Sequence, residues 1–118
     1  MRFGRKSPQD QDYFNKEVAL NELLGAFVST SVDVTSVSDL DTVQTLLADN
    51  PDRRGFSIFN DSTAILYVKL GSGASASSFS FRIVPQGYYE SSGLCYTGVI
   101  TGIWASDASG AARISEYE

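Results

Sequence analysis

Gly55-Phe56-Ser57-Ile58-Phe59, then Asn60-Asp61-Ser62-Thr63, then Ala64-Ile65-Leu66-Tyr67-Val68-Lys69-Leu70 is the stretch that decides the fold. Two short apolar runs flank a polar link of four residues. Both runs favour β-branched and aromatic side chains, which fit a pleated, half-buried surface. Spacing and composition predict a β-hairpin with residues 60–63 as its loop. Asn60-Asp61-Ser62 also spells the acceptor triplet for N-glycosylation, but with no signal-peptide core upstream it reads only as that loop.

The same pattern extends towards the C-terminus. Gly71 to Ser78 is a small-residue connection, and Phe79, Phe81 and Ile83 then alternate as a strand before a turn at Pro85-Gln86-Gly87. Tyr88-Tyr89-Glu90 is a short extended piece, and Ser91-Ser92-Gly93 is a loop. Tyr96 to Ala105 is long and apolar, with Val99, Thr101 and Ile103 on one face and Ile100 and Trp104 on the other. A turn over Asp107 to Gly110 precedes a last strand, Ala111 to Ser115.

On the N-terminal side, Asn50-Pro51-Asp52 is a turn signal, because Pro presets φ and Asn and Asp bond their local backbone. Thr42 to Leu47 is a strand or a helix on its own residues. Val28 to Val37 is a Ser/Thr/Val run in which Val32, Val34 and Val37 mark a strand. The sum is seven or eight short strands with regular turns, which predicts an all-β fold: one β-sandwich or barrel-like domain over residues 28–118. Residues 1–27 form an extended N-terminal arm. Within it, Val18, Leu20, Leu23, Leu24 and Phe27 have mostly helical spacing, so a short helix competes with an extended segment.

The length of 118 residues fits a single domain. With 42% hydrophobic and 19% charged residues, the composition is that of a globular protein. The net charge of −5 argues against specific nucleic-acid binding, which needs a basic face. That charge is uneven. Residues 1–16 carry Arg2, Arg5, Lys6 and Lys16 against Asp10 and Asp12, a net +2, which leaves −7 for the rest. No run approaches the ~20 apolar residues of a membrane span. The polar stretch from Met1 to Lys16 lacks a signal-peptide core, which predicts assembly in the cytoplasm.

The chain contains no histidine and one cysteine, Cys95. The commonest general base, the Ser-His-Asp and Cys-His arrangements and Cys/His metal clusters are therefore excluded. The carboxylate pairs Asp39/Asp41 and Glu116/Glu118 sit in turns or at a terminus, a poor basis for a two-carboxylate cleft. Asp49, Asn50 and Asp52 lack the spaced series of a calcium loop and read as turn and capping residues. Gly71-Ser72-Gly73 lacks the following helix that a phosphate cradle needs. These residues predict a non-enzymatic protein without cofactor or metal.

Partner contacts are a better use of this sequence. Phe3, Tyr13 and Phe14 are aromatic anchors on a polar arm, and Arg53 and Arg54 are either locally paired with Asp49 and Asp52 or an interface point. Tyr88, Tyr89, Tyr96 and Trp104 are the residue types that dominate interface hot spots. The same four would suit stacking on a sugar ring. For Trp104, burial over the sandwich core is the plainer reading.

Asn50-Pro51-Asp52-Arg53-Arg54-Gly55, Phe59-Asn60-Asp61-Ser62-Thr63 and Leu66-Tyr67-Val68-Lys69-Leu70-Gly71 resemble a small β-domain of tailed-bacteriophage structural proteins. Tyr88-Tyr89-Glu90, Tyr96-Thr97-Gly98, Gly102-Ile103-Trp104-Ala105-Ser106 and Ala111-Ala112-Arg113-Ile114-Ser115-Glu116 continue the pattern. The resemblance covers roughly residues 32–117. It implies an accessory virion protein: a capsid decoration or cement protein, or a neck, tail or baseplate component. The implied partners are the major capsid protein or neck and tail proteins, in a homo-oligomeric or multi-copy assembly. It also implies an extended conformation for Thr42 to Leu47. A carbohydrate-binding adhesion module is the alternative from another class.

Overall fold

The computed structural model describes residues 28–38, 40–107 and 109–118. The expected arm and helix within residues 1–27 lie outside the described residues. The described chain is all-β, with eight strands: β1 (Val32–Ser38), β2 (Gln44–Leu47), β3 (Gly55–Ser62), β4 (Leu66–Leu70), β5 (Phe81–Ile83), β6 (Tyr88–Glu90), β7 (Ile100–Trp104) and β8 (Gly110–Tyr117). They form two four-stranded antiparallel sheets, β1-β8-β3-β6 and β2-β7-β4-β5, packed as a β-sandwich. Among the described residues, no helix is long and apolar enough to cross a membrane.

Alternation along each strand explains the first sheet. In β3, Phe56, Ile58, Asn60 and Ser62 point inward. Ile58 pairs with Ile114 on one side and Tyr89 on the other, and Ile114 pairs in turn with Thr35. The opposite face carries Val32 and Val34 of β1, Ser115 and Tyr117 of β8, Phe59 of β3 and Tyr88 of β6. In the second sheet, Leu66 sits between Trp104 and Ile83, and Val68 between Gly102 and Phe81. Phe56, Ile58, Leu66, Val68, Ile100, Trp104 and Ile114 form the centre of the core.

Two local devices make that core fit. The β2–β7 register shifts between Thr45 and Leu47, a bulge that buries the adjacent Leu46 and Leu47 together. Gly102 faces the core, where a Cβ would stand 2.8 Å from Leu46 Cδ1 and 3.0 Å from Leu66 Cδ1. The missing side chain is the space those two leucines fill.

The expected hairpin over residues 55–70 does not form. β3 and β4 belong to different sheets, and β3 continues through Asn60, Asp61 and Ser62. Residues 63–65 are a crossover between the sheets. Asn60 and Ser62 point inward and supply hydrogen bonds inside the sandwich, while Asp61 faces outward to Arg113, so the strand need not stop there. The alternation expected from Phe79 also breaks. Phe81 and Ile83 face the core, whereas Phe79 packs on Tyr67 with ring centroids 5.0 Å apart.

Candidate functional site

The buried polar groups of this sandwich are structural ties. Asn60 is wholly buried, and its side-chain N–H groups donate to the carbonyls of Ala64 at 2.8 Å and Ile83 at 2.9 Å. Its side-chain oxygen accepts from Ser62 Oγ at 2.7 Å and Trp104 Nε1 at 3.2 Å. One amide thus joins β3, the crossover, β5 and β7 with its donors and acceptor engaged.

Arg53 performs the same task at the other end of the sandwich. Its side chain has no exposure. Nε donates to Glu116 Oε2 at 2.8 Å, and the two terminal nitrogens donate to Tyr96 O at 2.8 Å, Gly98 O at 2.9 Å and Ala48 O at 2.6 Å. The guanidinium is planar and always charged, so it can bind several fixed acceptors at once. It holds the turn after β2, the loop before β7 and the end of β8. The expected pairing of Arg53 with Asp49 or Asp52 is therefore corrected, and Arg53 offers no surface to a partner. Arg54 is exposed and donates to the Val28 carbonyl.

The four candidate aromatics do not form one cluster. Tyr88 projects from the outer face of the first sheet, and its hydroxyl donates to Glu90 at 3.2 Å. Tyr89, the next residue, points inward and stacks on Phe81 with centroids 3.9 Å apart. Tyr96 lies over Gly98 in the loop before β7. Trp104 is only 1% exposed, inside the core. Their dispersal removes the shared sugar-stacking surface on which the adhesion reading rested. Phe3, Tyr13 and Phe14 lie outside the described residues.

Acidic groups gather at one end of β1. Asp33, Glu116 and Glu118 each bring a carboxylate oxygen within 4.8 Å of the others. Glu116 is held by Arg53, and Glu118 accepts from Asn50 Nδ2 at 3.0 Å. Nearby, Asn50 Oδ1 accepts from the Asp52 N–H at 3.0 Å, the turn bond expected of that triplet. An open depression of about 490 Å³ lies between Thr30–Ser31, Pro51–Arg54 and Glu118. Cys95 is half-buried beside the core, and that burial pushes its thiol pKa upward despite the opposing charge of Arg53.

The outer face of the first sheet carries several apolar and aromatic side chains. Val34 of β1 is 73% exposed, Val32 and Tyr88 are also exposed, and Phe59 and Tyr117 are half-buried between them. An ion pair, Arg113 Nε with Asp61 Oδ2 at 3.1 Å, lies on this face. Sequence reasoning found Tyr88 but missed Phe59, Tyr117 and the outward stance of Val32 and Val34. Period-two alternation was the available signal, and it does not say which of two strand faces meets the core. No family model, curated protein or solved structure matches the chain.

Proposed function

We propose that this chain is a non-enzymatic structural protein of a tailed-bacteriophage virion. In this reading it is a decoration or cement protein, held on the capsid in many copies. The observation that carries the proposal is the outer face of the first sheet, where Val32, Val34, Phe59, Tyr88 and Tyr117 share one side of the sheet on an acidic domain. Exposed apolar and aromatic side chains grouped in this way favour protein contacts. Repeated weak contacts of many copies add up to firm attachment. The net charge of −5 favours solubility of the free protein before assembly. The Arg53 and Asn60 ties support a passive role, since their polar atoms are engaged in holding the fold.

Separation of purified particles into heads and tails, with quantification of this chain in each by mass spectrometry, tests the proposal. Many copies per head are expected. Recovery with the neck, tail or baseplate instead would make it a component of that assembly, and absence from both fractions would end the virion reading. Deletion of residues 1–16 is expected to weaken attachment and leave the domain folded. Unchanged attachment would remove the arm from the account.

A further inference from the structure

Four strands lie at sheet edges, and three of them are poorly suited to pairing. β2 has four residues and a bulge, β5 has three residues including Arg82, and β6 has three including Glu90. Short length, charge and bulges are the usual means by which an edge avoids another strand. β1 differs in length and regularity. Its seven residues, Val-Asp-Val-Thr-Ser-Val-Ser, pair with β8 in unbroken register and contain no Pro, Lys or Arg. Six of the seven are exposed.

The backbone of β1 points the right way for an added strand. Ser31 and Glu118 exchange both bonds, at 3.1 and 2.9 Å. Antiparallel ladders alternate, so Asp33, Thr35 and Val37 also turn their N–H and C=O groups towards β8. Val32, Val34, Ser36 and Ser38 turn theirs to the open side. Among the described residues, no strand pairs with that side.

We infer that this edge of β1 docks against β1 of a second copy of the chain, antiparallel and centred on Thr35. In that register Val32 meets Ser38 and Val34 meets Ser36, all four with outward-facing backbone groups. About eight new backbone hydrogen bonds follow, two for each such pair. The charges fit as well. The strand's single charge, Asp33, falls opposite Val37, so no carboxylate faces another directly across the new pair. The two Thr35 side chains meet at the two-fold axis as a β-branched pair. The result is an eight-stranded sheet across two domains. This interface goes beyond the virion reading and does not depend on it.

The test uses the full chain in analytical ultracentrifugation over a concentration series. The wild type is expected to dimerise. V34P removes one outward N–H without touching the β8 ladder, and is expected to weaken dimerisation at least tenfold with an unchanged melting curve. T35C in a C95S background is expected to form an intermolecular disulfide on oxidation, because residues directly opposite at a non-hydrogen-bonded site have close Cβ atoms. If V34P does not fold, the T35C cross-link decides. A monomer at every concentration, a dimer that folded V34P leaves intact, or absence of the cross-link overturns the inference. A dimer that is lost on deletion of residues 1–27 and gives no T35C cross-link also overturns it, and assigns the edge to the arm.

Discussion

The indole N–H of Trp104 in β7 donates to the side-chain oxygen of Asn60 in β3, at 3.2 Å, inside the core. It joins the two sheets at a point where both residues are excluded from water. A polar contact in that setting is strong when complete and costly when broken.

N60D keeps the shape of the side chain and replaces its N–H donors with oxygen. Two carbonyls, those of Ala64 and Ile83, then lose their donors and face a carboxyl group. The expected loss of stability is about 3 kcal/mol or more, since each orphaned buried group costs roughly 1–3 kcal/mol. Urea unfolding measures it. An unchanged midpoint would show that Asn60 is not a tie between the sheets.

Arg53→Met leaves Glu116 partly buried without its counter-charge and strips three carbonyls of their donor. A loss of about 3–5 kcal/mol is expected. The double variant R53M/E116L is expected to recover part of that loss, because it removes the stranded carboxylate. Equal stability of the single and double variants would contradict the assigned pair.

Gly102→Ala places a methyl group against Leu46 and Leu66. The contacts are to flexible side-chain ends, so the fold is expected to survive with a loss of about 1–3 kcal/mol. Adding L46A to G102A is expected to lower the cost of the Gly102 change, because it removes the nearest obstruction. Thermal melting of the single and double variants reads the coupling.

The Cys95 thiol is shifted upward, first by burial. The thiolate is the reactive form, so at mildly alkaline pH the native protein is expected to react with iodoacetamide more slowly than the unfolded chain. The native rate should keep rising with pH after the unfolded rate has levelled off. Coincident pH profiles would show that the folded environment does not perturb the thiol.

Strand positions were legible because their chemistry is local. The alternation around Phe56 and Ile58, the triplet Tyr88-Tyr89-Glu90 and the apolar run from Tyr96 to Ala105 all mark strands, and each contains one. Partners were not legible, because sequence distance hides them. Arg53 lies beside Asp52 in the chain, yet its ionic partner is Glu116 and two of its acceptors are Tyr96 and Gly98. Asn60 was misread because a buried amide and a turn amide are the same residue, distinguished only by what surrounds it. The buried Leu46-Leu47 pair depends on a bulge, a register change that strand composition does not announce.

The bond between Ser31 and Glu118 gives the domain a mechanical direction. Both residues sit at one end of the β1–β8 ladder, so a pull that separates them opens it like a zipper, one rung at a time. A pull between Ser31 and Gly110 loads the same rungs together, in shear. Single-molecule force measurements with handles at these two pairs should record low rupture force for the first and high for the second. A subunit restrained through its N-terminal side therefore resists load best when the opposing grip lies at the far end of the ladder, near Ser38 and Gly110.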